Sequence, residues 1–166
     1  AQKLKMEILA SYPDLESDEQ FYRFIPTYDI DIAWSYKNKG FTRNLGGFLR
    51  DLIKLNFKDL NNRILVLSGH RQDPFDTYEL QKKWTKEYQL HPIYFILFGD
   101  LGPFDKNISV INKNFQTLIK ELLDQAQLGI HPSYESNENL QLLQREIKNL
   151  KETVHIDITK SRQHFL

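Results

Sequence analysis

The stretch Thr27-Tyr28-Asp29-Ile30-Asp31 follows an apolar and aromatic run (Phe21, Tyr22, Phe24, Ile25) and precedes Ile32, Ala33 and Trp34. It reads as a buried strand, from about Phe24 to Ala33, that carries two carboxylates. Side chains alternate across a strand, so Asp29 and Asp31 leave on the same face. Like charges held that close raise each other's pKa unless a cation or metal stands between them. The same dipeptide spacing also arises from turn chemistry, with one Asp capping a helix and the other solvated. What favours a functional pair lies about a hundred residues downstream.

Outward from this strand, apolar periodicity divides the chain into alternating elements. Residues 1–20 form a polar lead-in with Pro13 and an acidic group, and residues 21–166 carry the domain. A basic, glycine-containing segment (Lys37, Lys39, Gly40, Arg43) reads as a solvated loop, and Asn44 is placed to cap a helix from about Leu45 to Leu55. Residues 63–68 fit a strand or one buried helical turn. Helices are expected over about Thr77 to Tyr88, Ser109 to Gln125, and from a cap at Ser136 or Asn137 to Leu150.

The run Ile93 to Phe98, bounded by Pro92 and Gly99, has no alternation, as in a strand covered on both faces. Gln127 to His131 is a short strand delivering His131 at its end, and Val154 to Ile158 alternates like another. Four strands, near 26–32, 92–98, 127–131 and 154–159, alternate with helices and imply an α/β fold with a parallel sheet or barrel. Polar site groups collect at the C-terminal ends of such strands. Asp29, Asp31, His131 and Arg162 all fall at or just after those ends.

Composition narrows the chemistry. The chain has 166 residues, 40% of them hydrophobic and 27% charged, which suits one domain with a real core. A formal net charge of zero removes the general electrostatic case for nucleic acid or an anionic membrane. With no cysteine, any metal is held by His, Asp or Glu. No apolar run is long enough to span a bilayer and no signal core is present, so a soluble chain is expected, with the cytoplasm favoured.

Thr27-Tyr28-Asp29-Ile30-Asp31 resembles the first motif of the NodB-homology polysaccharide deacetylases (carbohydrate esterase family 4) in its Asp-x-Asp variant. His131-Pro132-Ser133-Tyr134-Glu135 resembles the second, normally His-Ser/Thr-x-x-His, and Ser161-Arg162-Gln163-His164-Phe165 the third. The phrases around Asp73-Pro74-Phe75-Asp76-Thr77-Tyr78 and Phe98-Gly99-Asp100 resemble bacterial chains of this kind. The resemblance implies a parallel-stranded partial (β/α) barrel with outer helices, forming the N-terminal part of the catalytic domain. It implies a metal-dependent hydrolase removing N- or O-acetyl groups from a polysaccharide.

Carried over, Asp29 is the general base, Arg162 the residue that orients it, and Asp31 and His131 ligands of a divalent metal, usually zinc. Glu135 stands where the second metal His belongs and Pro132 where the hydroxyl residue belongs, so the third ligand is Glu135 or His164. Trp34 and Tyr134 are candidates for stacking on a sugar ring. The general acid of the family is expected beyond Leu166, which makes the isolated chain a poor catalyst. The incomplete barrel would expose a sheet edge open to self-association. A non-catalytic glycan-binding or structural domain on the same scaffold is the alternative, and a magnesium-dependent phosphatase or glycosyltransferase fits less well because Ile32-Ala33 follows the second Asp.

Overall fold

The computed structural model describes residues 2–15 and 22–163. In chain order these form α1 (Gln2–Ser11), β1 (Thr27–Ile30), α2 (Phe41–Ile53), α3 (Phe57–Leu67), α4 (Tyr78–Glu87), β2 (Ile93–Leu97), α5 (Lys113–Leu123), β3 (Gln127–His131), a 3-10 turn (Tyr134–Asn137) and α6 (Leu140–Val154). The three strands lie in one parallel sheet in the order β1-β2-β3, and the fold is α/β. Among the described residues no helix is long and apolar enough to cross a membrane.

Register explains how the sheet divides its labour. Asp29 pairs with Phe95 and Phe95 with Gly129, while Leu97 pairs with His131. One face therefore presents Tyr28, Ile30, Tyr94, Ile96, Leu128 and Ile130, and these pack into the core with Phe115, Leu118, Ile119 and Leu122 of α5 and Leu150 and Val154 of α6. The other face presents Asp29, Phe95, Leu97, Gly129 and His131. Phe95 and Leu97 are buried even so, which is why Ile93–Leu97 shows no alternation.

The helices begin where local chemistry satisfies their first N–H groups. Asn112 and Asn139 cap α5 and α6 by accepting from Phe115 N (3.1 Å) and Leu142 N (3.0 Å). Asn56 caps α3, accepting from Asp59 N at 3.3 Å and donating to the Asp59 carboxylate at 2.7 Å. Residues 63–68 are thus the end of a helix rather than a strand. Helix α2 starts at Phe41, earlier than the Asn44 cap predicts, because Gly40 (φ 80°) turns the chain into it. Asn44 instead accepts from Arg63 at 3.4 Å.

The fourth strand, expected near 154–159, does not form. Val154 is the last residue of α6 and is buried with Leu150 one turn earlier, and His155 ends the helix in the left-handed region (φ 59°). Extended pairing begins later and is brief. Ile130 N donates to Lys160 O (2.9 Å), Arg162 N donates to Ile130 O (3.1 Å), and Ser161 bridges Ile130 in parallel.

Candidate functional site

The polar face of the sheet is built in two rows. In the first, Gly129, Phe95 and Asp29 lie side by side on the three strands. Arg162, arriving beyond β3, crosses this row: its guanidinium lies 4.6 Å from the centre of the Phe95 ring and reaches Asp29 (3.1 and 3.4 Å) and Thr27 Oγ1 (2.9 Å). Glycine at 129 is what leaves room. A Cβ there would fall 2.7 Å from the Phe95 ring and 2.9 Å from Lys160 O.

In the second row, Leu97 separates the ends of β1 and β3, and Asp31 and His131 meet across it with Oδ1 and Nε2 3.1 Å apart. His131 is 2% exposed while the Asp31 side chain is 42% exposed, so the pair opens outward from the carboxylate side. His131 Nδ1 donates to Arg162 O at 2.6 Å, which fixes the ring and turns Nε2 toward Asp31. Burial of the imidazole opposes its protonation, yet the Asp31 carboxylate and the Arg162 carbonyl outweigh this and hold its pKa above the ordinary histidine value. Arg162 thus serves both rows, by its side chain in one and its carbonyl in the other.

Asp31 and His131 are of the donor types a divalent cation takes, and they stand together as a hydrogen-bonded pair. Their 3.1 Å separation is close to the edge of about 3.3 Å expected of a tetrahedron with metal–ligand bonds of about 2.0–2.1 Å. Among the described residues, however, no three His, Asp or Glu side chains gather as a metal group. Glu135 does not join the pair. Ser133 and Ser136 turn inward on the segment after β3, leaving Tyr134 and Glu135 exposed between them, with Glu135 near Gly102. His164, the other candidate third ligand, lies outside the described residues.

The two aromatic candidates part company. Trp34 is 7% exposed and sits edge-on to Tyr78 (centroids 6.4 Å apart) in the core, so it has no free face for a sugar. Tyr134 is exposed and packs on the exposed ring of Phe104 at 4.2 Å, which makes a surface platform.

Three supports escaped the sequence reading. Asp73, almost wholly buried, accepts from the backbone N–H groups of Ser35 (2.8 Å), Tyr36 (2.8 Å), Lys37 (3.0 Å) and Phe75 (3.0 Å), and so shapes the loop that follows Asp31. Burial pushes its pKa up, but the four N–H donors prevail and hold it below the usual carboxylate range. Glu146, equally buried, binds Ser133 through N (3.2 Å) and Oγ (2.5 Å) and anchors the segment after His131. Burial holds its carboxyl above the usual range. Asp105 accepts from Tyr134 N at 2.9 Å. Asp73-Pro74-Phe75-Asp76 reads as a turn with helix-start chemistry, but three of its four N–H partners lie nearly forty residues upstream, and no local pattern announces them.

A cavity of about 560 Å³ runs along β1 from Thr27 to Ile32, on the edge away from β2, and reaches Phe75 before α4 and Tyr78 and Gln81 on its first turn. No family model, curated protein or solved structure matches the chain.

Proposed function

We propose that this chain carries the general base and metal ligands of a hydrolase that removes N- or O-acetyl groups from a polysaccharide, on an α/β scaffold of the NodB deacetylase type. The observation that carries the reading is the pairing, at one end of a parallel sheet, of Asp29 with Arg162 and of Asp31 with His131. Residues far apart in sequence meet there in the two pairs that this chemistry needs.

Asp31 and His131 would hold a divalent cation, zinc by their donor types, with His164 as the remaining protein candidate. Bound there, the cation supplies Lewis acidity, polarising an acyl carbonyl and lowering the pKa of water. Asp29 would take a proton from the water that adds to the acyl carbon, and as the carbon–nitrogen or carbon–oxygen bond breaks that proton would pass to the leaving nitrogen or oxygen, releasing acetate and the free amine or hydroxyl of the sugar. Arg162 positions Asp29 through its guanidinium. The exposed Tyr134–Phe104 ring pair would offer an aromatic surface for a sugar ring to stack on.

A second reading, glycan binding without hydrolysis, draws on the absence of a three-ligand group among the described residues. Acetate release separates the two. With zinc added and acetylated chito-oligosaccharides, acetylated peptidoglycan fragments and an O-acetylated polyuronate as substrates, the protein should release acetate slowly, as suits a poor catalyst, and Asp29→Asn should lower that rate by about a further 10²-fold. Glycan binding without any acetate release would leave the second reading in its place.

A further inference from the structure

The loop after β1 and the α2–α3 pair enclose a second bay of about 550 Å³, which begins at Ile32, one residue past Asp31. Its charged lining is Lys39, Arg43, Arg50, Arg63, Lys106 and a single carboxylate, Asp59. The sequence alone makes the segment around Lys37 to Arg43 a solvated loop. The fold instead lays Lys39 and Arg43, both half-buried, against the wall of a concavity.

These cations are not equally satisfied. Arg50 and Arg63 share the buried Asp51 carboxylate, at 2.9 and 2.7 Å. Arg63 is further fixed against the Tyr36 ring (4.8 Å) and over Gly47, where a Cβ would fall 2.6 Å from the guanidinium. Arg43 donates to the carbonyls of Asn107 (2.8 Å) and Lys106 (3.1 Å), which orient it but do not neutralise its charge. Asp59 is bonded to the Asn56 amide at 2.7 Å. The other nearby carboxylates are also engaged: Asp73 by four backbone N–H groups, and Asp76 by Lys37 at 3.5 Å. Among the described residues the Lys39 ammonium has no ion pair.

A half-buried ammonium without an ion pair is costly, and the Asp73 carboxylate, already engaged by backbone N–H groups, offsets that only in part. Burial, and then the neighbouring Arg43, pull the pKa of Lys39 below its ordinary value. An oxyanion in the bay would relieve both effects, meeting Lys39 as a point charge and the Arg43 edge as a hydrogen-bond donor. Gly46 adds no side chain to fill the space, since nothing lies within 4 Å of where its Cβ would stand. The volume suits a sugar-sized group rather than a lone ion.

We propose that this bay is an anion-binding subsite that takes a carboxylate, sulfate or phosphate substituent of the substrate, so that the polysaccharide acted on is acidic. The assignment of the anion to a glycan rests on the deacetylase reading, because Ile32 borders both the bay and the cavity along β1. The anion site itself rests only on the charges and their geometry.

Binding is measured calorimetrically at low ionic strength, without turnover, using a galacturonate oligosaccharide, a neutral chito-oligosaccharide of equal length, and inorganic sulfate and phosphate. Wild-type protein should bind the acidic oligosaccharide about tenfold or more tighter than the neutral one, with the preference fading as salt is raised. Lys39→Gln should abolish most of the preference and Lys39→Arg retain it, while Lys37→Gln, on the pair with Asp76 outside the bay, should leave it intact. Competition by sulfate or phosphate at equal strength points to the anion itself, and stronger competition by one of them names the substituent. Equal affinity for acidic and neutral oligosaccharides, or a Lys39→Gln variant that folds normally and keeps the preference, overturns the proposal. Acetate release from neutral substrate unaltered by Lys39→Gln, without any acidic preference, would discard the subsite and keep the deacetylase reading. A Lys39-dependent preference with no acetate release from any substrate would keep the subsite and discard the hydrolase.

Discussion

Asp73 does more to shape this site than any residue whose type suggests catalysis. One buried carboxylate gathers four N–H groups from two turns, so its removal leaves donors without partners. Asp73→Ala should therefore cost about 2–4 kcal/mol of stability, measured by urea denaturation at neutral pH. Because its pKa is depressed in the folded state, its contribution is fully present above the unfolded value of about 3.9 and is lost as pH falls through the folded value. The difference between wild type and Asp73→Ala should accordingly shrink on acidification to about pH 3, and a difference independent of pH would show that the carboxylate charge is not what holds the loop. Asp29, Asp31 and His131 were legible because they stand at or just past the ends of β1 and β3, whereas Arg162 was expected after a strand that does not form and arrives instead beside the single Ser161–Ile130 bridge. Asp73, Glu146 and Lys39 were not, since their roles depend on partners that only the folded chain brings near.

At the scale of elements, the three strands were readable because short apolar runs bounded by Pro or Gly admit few other structures. Residues 154–158 misled for a definable reason. Val154 continues the spacing of Leu143, Ile147 and Leu150 along α6, and it also begins an alternating run with Ile156 and Ile158, so one residue satisfies both periods. Burial against the core decided for the helix. Leu150→Ala should cost about 2–5 kcal/mol, by loss of apolar burial and creation of a cavity beneath β3. Gly129→Ala is a sharper test of the segment at 160–162. Its Cβ would press on the Phe95 ring and on Lys160 O, forcing apart the strand pairing that carries Arg162 across to Asp29. A loss of about 1–3 kcal/mol is expected, together with a weakened Asp29–Arg162 contact that an Asp29→Ala, Arg162→Ala double-mutant cycle would register as diminished coupling. Wild-type stability and full coupling in Gly129→Ala would mean that the corridor over Phe95 is wider than described.

For the whole molecule, among the described residues β1 pairs on one side, with β2, and its other edge borders the open cavity. A parallel strand is built for burial on both sides, and helices α2 and α3 leave Phe41, Ile53 and Phe57 well exposed. Self-association growing with concentration is therefore predicted, and light scattering after size exclusion across a hundredfold concentration range would detect it, a constant monomer mass being the contrary result. The central claim is that the two carboxylate pairs form a metal-assisted hydrolytic site, and zinc titration calorimetry on the metal-stripped protein tests it most directly. The account predicts saturable binding of one zinc ion per chain, weakened about 10-fold or more by Asp31→Asn or His131→Gln and left nearly unchanged by Asp29→Asn. No binding, or binding that survives loss of both Asp31 and His131, would contradict it.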